Sequence, residues 1–506
     1  MVAGAASVLV HQAWRCGVTV DEPVHLLTAH LYWRGEDNLE PSDMPPLIKI
    51  AGGWASHVTG LPLVREASRQ AWAAAREMMQ RMKTRDRVQR ICFGSRLPMI
   101  VFTLLTAILL WWWTRQLYSP ALGLVLAAMF LLEPNVLGHG ALFKNDLAAT
   151  FTYLLFWYRA WMYWKWPGAR SATWLAVALL LATLAKLSLL VLVAMAPLIL
   201  ALRGRGFWKS LALTTGILYA GTLAAYQFDA SWYGLPANLV KGVTSLDISN
   251  AEHTSVYMLG QIYQEGHPLY FLVCLLIKTP VPVLLPAAAG LAVCLWRLAQ
   301  RRLEAADLFW LLPGAIYFAL ASLANLQLGI RLILPAFPFA LIIAGAALMP
   351  LAVGKRWLVP GAMVAWMIVT VARVYPLPLA FFNDWLGYRH AYRYLTDSNF
   401  DWGQDLPELA DVARESRLPK FRLYYFGNDL PHSYFTPWQA EVLFPPWDDR
   451  LARGLRVPLE RGIYAISASL LTGQYFRPPY RDYFKHFRDR EPVGRAGESI
   501  LIYQVD

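Results

Sequence analysis

Charged side chains are scarce in this chain: they make up 16% of its 506 residues, against roughly 25% in ordinary soluble domains. Together with 57% hydrophobic residues, that scarcity excludes a soluble multidomain protein, a coiled coil and a disordered chain. Cysteine is scarce as well. Cys16, Cys92, Cys274 and Cys294 are too few and too scattered for a disulfide scaffold or a metal knuckle, and two of them sit inside apolar runs. Only Cys16 and Cys92 are placed to pair. No secretory leader is expected either. Residues 2–10 (VAGAASVLV) are apolar but too short to span, with no basic start and no cleavage site. A first helix shortened by a late start is the expectation.

What is present is apolar length and aromatic rings. A bilayer core of about 30 Å needs about 20 mostly apolar residues per helix. Such runs extend over residues 97–113, 122–137, 147–164, 174–202, 211–226, 269–296, 308–324, 332–351 and 357–375. The run 174–202 is longer than one span requires and holds Lys186 at its middle beside Ser188, so two helices meeting at a polar turn are expected. The 22 Trp suit membrane–water interfaces. The fold class expected is an α-helical polytopic membrane protein of about eleven spans.

Short-loop Lys and Arg orient the chain. With the Arg115 turn cytoplasmic and the segments alternating, Lys165, Arg170, Arg203, Arg205, Lys209, Arg297, Arg301, Arg302, Lys355 and Arg356 fall on the same side. The opposite face then receives residues 14–96, 228–267 and the tail from 376. Two units are expected: a transmembrane domain over 1–375 and a small extracytoplasmic α/β domain over 376–506. Within the first loop, the basic amphipathic stretch between Leu61 and Arg96 is expected to lie flat on the outer leaflet.

Chemistry-bearing residues gather on that outer face. Asp21 and Glu22 are adjacent carboxylates at the exit of the first apolar segment. A partly desolvated carboxylate there suits a general base that takes a proton from an attacking hydroxyl. Pro45 and Pro46 make a rigid entry to a short helix carrying Lys49, and Asp146 stands at the outer end of another apolar helix. Arg331, in QLGIRLILP, and Arg96, before LPMIVF, open two more. Ionisable groups at such positions are functional candidates, with snorkelling to headgroups as the bland alternative. Asp247, Glu252, His253, Glu265 and His267 mix carboxylate and imidazole, but without tight ligand spacing.

DEPVH (21–25) followed by PPLIK (45–49) resembles the signatures of the GT-C glycosyltransferases, in the branch of protein O-mannosyltransferases and aminoarabinose transferases. KNDLA, KTPVP, LGIRLILPAFPF and DSNFDWGQDL agree in order and location, so the likeness covers nearly the whole chain. The resemblance implies transfer of a monosaccharide, with inversion, from a polyprenyl or dolichyl phosphate donor to a hydroxyl on an envelope protein, lipid or glycan. It implies an inner or plasma membrane location with the active site extracytoplasmic. Asp21 would be the base with Glu22 as its neighbour, and Asp146 the second acidic position. Lys49, Arg96, Arg331 and, more weakly, Lys278 would hold the donor phosphate. His25, Tyr257, Asp397, Asp401, Trp402 and Gln404 would touch substrate, the last four at the mouth of the site. No cofactor, resident metal or nucleic-acid partner is expected. The competing function is a transporter or flippase of lipid-linked sugars, whose mark would be an internal repeat with broken helices paired at the midplane. The charged motifs cluster instead at one membrane face.

Overall fold

The computed structural model describes residues 2–39, 44–62, 70–82, 84–203, 206–229, 231, 234–252, 255–387, 390–444 and 459–506, with 246–252 described for the backbone alone. Helices dominate. The chain opens with α1 (Val2–Arg15), α2 (Glu22–Arg34), α3 (Pro46–Thr59), α4 (Ala71–Met82) and the long α5 (Arg85–Leu117). Pro23 and Pro46 start α2 and α3, where a missing N–H costs nothing and the fixed φ suits a first turn. The apolar face of α4, built from Ala71, Ala74, Ala75, Met78, Met79 and Met82, is buried against α2 and α5. That corrects the expectation of a helix with this face in the outer leaflet: at i, i+3, i+4 spacing the stripe is packed on protein. Residues 63–69 of the stretch lie outside the described residues.

Next come α6 (Pro120–Leu131), α7 (Pro134–Gly140), α8 (Asp146–Lys165), α9 (Ala169–Ala185), α10 (Val191–Ala201), α11 (Phe207–Ala225) and α12 (Ala237–Glu252). The expected break at Lys186 is present: α9 ends at Ala185 and a 3-10 turn over Leu187–Leu190 leads into α10. Two runs expected as single spans are broken as well. The run 122–137 bends by 62° between α6 and α7, where Glu133 caps α7 through the Val136 N–H at 2.7 Å. The run 269–296 splits at Thr279–Pro280 into α13 (Tyr270–Lys278) and α14 (Val281–Ala299). A proline cannot extend α13, because it lacks an N–H and its ring opposes the preceding carbonyls. The membrane part finishes with α15 (Leu308–Leu323), a 3-10 segment over Ile330–Ala336, α16 (Phe337–Leu348) and α17 (Leu358–Val374).

Among the described residues, five helices are long and apolar enough to cross a membrane, or six if the bent α6–α7 pair is one span. The count of eleven is not reached by this measure; Ala169–Ala185 and Leu187–Ala201 are apolar but shorter. The class expected from composition holds: an α-helical polytopic membrane protein.

Beyond the helices lie α18 (Leu406–Glu415) and the strands β3 (Phe421–Tyr424), β4 (Ala440–Leu443), β5 (Gly462–Ser467), β6 (Gly494–Ala496) and β7 (Ile500–Val505), after a small hairpin β1 (Val256–Met258) and β2 (Gln261–Tyr263). The five strands form one sheet in the order β4-β3-β5-β7-β6, with β4, β3 and β5 parallel and β7 antiparallel to both its neighbours. Leu406 and Leu409 of α18 pack on Phe421, Leu423, Ala465 and Ile502 beneath it. All four cysteines are buried free thiols, so Cys16 and Cys92 are not bridged.

Candidate active site

The loop that carries Asp21 is held from behind. Arg96, on α5, donates Nε to Glu22 Oε1 at 2.8 Å and Nη2 to Glu22 Oε2 at 2.6 Å. Its remaining N–H groups go to the carbonyls of Ala13, Cys16 and Gly17. A guanidinium has five N–H donors, and all five are used. Glu22 also accepts the N–H groups of Thr19 and Phe143. With Arg96 1% and Glu22 0% exposed, neither group is open to a substrate. This corrects both expectations: Glu22 and Arg96 form a clamp that shapes the 16–21 loop, leaving no donor for a phosphate.

The loop is held from the front by the chain's tail. Gly17 N–H donates to the Gln404 carbonyl at 2.9 Å and Val20 N–H to the Trp402 carbonyl at 3.1 Å. The Val18 N–H reaches Asp429, and the Asn428 amide donates to the Val20 carbonyl. Asp21 emerges between these two supports with its side chain 21% exposed.

Around it stand four charged groups. Asp21 Oδ2 lies 3.0 Å from Lys144 Nζ and 3.5 Å from Arg331 Nη2. Arg331 Nη1 reaches Asp146 Oδ2 at 3.8 Å, and Lys186 Nζ donates to Asp146 Oδ1 at 2.8 Å. Each position follows from local structure. Asp146 occupies the first turn of α8, where the helix dipole favours a carboxylate. Lys186 is delivered by the α9–α10 break, and Lys144 by the turn between α7 and α8. Arg331 follows Gly329, whose φ of +112° and close approach to the Ser398 hydroxyl leave no room for a Cβ. Arg331 Nε donates to that hydroxyl at 3.1 Å. Trp402 completes the group, its ring centroid 3.0 Å from Lys144 Nζ and 4.4 Å from Arg331 Cζ.

The electrostatics separate the roles. Burial pushes the Asp21 carboxyl up, but Lys144, Arg331 and His25 more than offset it and hold the group down at about 2. Burial, reinforced by Arg331, lowers the Lys144 ammonium to about 8, with Asp21 and Asp146 pulling the other way. Burial raises Asp397 despite Arg331 and the phenol of Tyr475, which donates to it. Burial also pushes Asp401 and Asp405 up to about 7.

The other expected site residues are dispersed. Lys49 is 2% exposed and donates to Asp37 Oδ2 at 2.6 Å. Lys278 donates to the carbonyls of Leu379 and Asn399, tying α13 to the tail segments. Neither cation joins the Asp21 cluster, because each is consumed by a local acceptor. His25 donates Nδ1–H to the Phe143 carbonyl at 2.9 Å, and Tyr257 donates its hydroxyl to the Arg393 carbonyl. Asp401 accepts the Ser469 and Gly403 N–H groups, and the Gln404 amide donates to the Phe400 carbonyl. Asp401, Trp402 and Gln404 are buried and form the turn that carries the indole. Among the described residues no group of three or more His, Cys, Asp or Glu could hold a metal ion. His253 and the side chains of Asp247 and Glu252 fall outside them.

Lys144 and Lys186 are the site residues not singled out as such by sequence. Both left a signal: Lys144 stands two residues before Asp146 in KNDLA, and Lys186 interrupts an apolar run, where an ionisable group is functional by default.

No sequence-family profile matches the chain, and no curated protein matches it in sequence. Structures do. ArnT from Cupriavidus metallidurans in the apo state superposes with a TM-score of 0.51 at 13% identity, over 99% of this chain and 96% of that one. The chain thus shares the fold of that structure. ArnT bound to undecaprenyl phosphate matches at a TM-score of 0.47 and 14% identity over 99% and 96%. The Archaeoglobus fulgidus oligosaccharyltransferase in complex with Zn and sulfate matches at 0.42 and 13%, over 96% of this chain and 66% of that one.

Proposed function

We propose that this protein is an inverting glycosyltransferase that moves a monosaccharide from a polyprenyl phosphate donor to a hydroxyl of a cell-envelope acceptor, on the extracytoplasmic face of the membrane. The observation that carries the reading is the partly exposed Asp21 carboxylate in ion-pair contact with Lys144 and Arg331. A base and an anion-holding pair of cations in one place is what glycosyl transfer from a phosphate requires.

The step is a single displacement. The acceptor oxygen forms a bond to the anomeric carbon from the face opposite the phosphate while Asp21 takes its proton. The bond from that carbon to the phosphate oxygen breaks, and the electron pair leaves with the lipid phosphate. Lys144 and Arg331 stabilise that anion, the planar guanidinium matching phosphate geometry and the ammonium acting as a point charge. Asp146, between Arg331 and Lys186, keeps the cations spaced. When a phosphate competes for Lys144 and Arg331, their hold on Asp21 weakens and its basicity rises, so donor binding prepares the base for the acceptor.

The test supplies purified protein with a panel of undecaprenyl-phosphate-linked sugars and a cell-envelope extract, and reads the products by mass spectrometry. A mass increment of one sugar on an envelope molecule is expected. Transfer from nucleotide sugars alone would overturn the donor class. Accumulation of donor across a vesicle membrane without any covalent product would favour a transporter.

A further inference from the structure

Lys144 and Arg331 repel one another, yet both approach the same oxygen of Asp21. Among the described residues, three cations and two carboxylates are in ion-pair contact, an excess of one positive charge, and Asp397, a third carboxyl acting on Arg331, is held toward its neutral form by burial. Among the described residues, the one aromatic ring in contact with both cations is Trp402, which is 2% exposed. A carboxylate in its place would neutralise the last free positive charge. An indole attracts cations through its negative ring face while carrying no charge of its own, so it gathers them and leaves their charge available to an incoming anion.

The indole is not free to follow the cations. Its backbone N–H donates to Gln404 Oε1 at 2.7 Å and its carbonyl accepts from Val20. Asp401, one residue earlier, is fixed by the Ser469 N–H at 2.8 Å. Gly403, one residue later, has a φ of +83° and lies so close to Gly427 that a side chain would not fit. The neighbouring Ser398 and Asn399 extend the support to Arg331: Ser398 accepts from its Nε, and Asn399 accepts the Ile330 N–H at 2.9 Å.

We propose that Trp402 is a positioning residue that holds Lys144 and Arg331 as a spaced, still-charged pair for the phosphate of the lipid donor. The inference rests on the function proposed above and goes beyond it by assigning donor affinity to a ring that touches neither sugar nor phosphate.

The experiment measures binding of undecaprenyl phosphate to the full-length protein in detergent, and donor KM and kcat, for wild type, Trp402→Phe and Trp402→Met. Methionine fills apolar space without a ring face. Trp402→Met is expected to weaken undecaprenyl phosphate binding and raise donor KM by about tenfold, with kcat changed less than KM. Trp402→Phe, which keeps a weaker cation-binding face, should fall within about threefold of wild type. Equal binding by wild type and Trp402→Met overturns the proposal, as does equal impairment of the two variants. Should Trp402→Met fail to fold, Trp402→Phe decides: a twofold to threefold loss of affinity is expected, and none overturns it. Failure of wild type to bind undecaprenyl phosphate would instead sink the function on which the inference rests.

Discussion

Asp21→Asn separates the two halves of the proposed chemistry. The substitution keeps the side chain's shape and its place between the Arg96 clamp and the tail, but removes both basicity and one negative charge. Loss of a general base costs about 10²–10⁴ in rate, so kcat should fall by that much. The charge change acts in the opposite direction on binding, because the cluster goes from one net positive charge to two. Opposite charges ~4 Å apart attract by about 4 kcal/mol at an effective dielectric of ~20. Asp21 is 21% exposed, and solvent screening reduces such a figure to about 1 kcal/mol, or roughly fivefold in Kd. The expected signature is therefore a collapse of turnover with equal or tighter binding of undecaprenyl phosphate. Single-turnover transfer from a labelled donor and equilibrium binding read the two quantities, with thermal inactivation confirming a folded variant. Turnover within about threefold of wild type would remove Asp21 as the base. A variant that no longer binds the lipid phosphate would show that Asp21 serves to organise the cations.

Three further outcomes follow from the same contacts. Arg96→Lys supplies three donors where five acceptors are met, so at least two charged hydrogen bonds of about 1.5–3 kcal/mol each are lost; a clearly lower inactivation temperature is expected, and an unchanged one would refute the clamp. Lys144 is lowered to about 8, so its positive charge is present below that pH and lost above it; binding of undecaprenyl phosphate should weaken as pH rises through about 8, and a flat profile from pH 7 to 9.5 would count against its role. Lys49→Met leaves Asp37 without its buried partner, and breaking such a pair costs up to about 3–5 kcal/mol; stability should drop while undecaprenyl phosphate affinity stays within about twofold, whereas a tenfold loss of affinity would return Lys49 to the donor site.

The carboxylates of the site were legible in the sequence more readily than its cations. Asp21, Asp146 and Arg331 each stand beside proline, glycine or a helix start within a recognisable string, and the fold brings all three together. Arg96, Lys49 and Lys278 look equivalent to Arg331 along the chain, since each is a cation at the edge of an apolar run. What distinguishes them is the acceptor each meets: Glu22 and three carbonyls, Asp37, and two carbonyls respectively. Those partners lie as far as 121 residues away in the chain, and no local pattern reports them. The spans show the same limit. Apolar length located the membrane helices, but Glu133 and Pro280 bend or end them at single residues, so a count of runs overstates the count of straight crossings. Lys186 was the exception, a charge inside a greasy stretch whose own presence announced the turn.

The backbone bonds from Gly17 and Val20 to Gln404 and Trp402 join the beginning of the polypeptide to a stretch made nearly four hundred residues later. During biosynthesis the early loop is made long before its partner stretch of chain exists. The cluster is therefore complete only once residues 402–404 have been made, and until then Lys144 and Arg331 lack the indole that both touch.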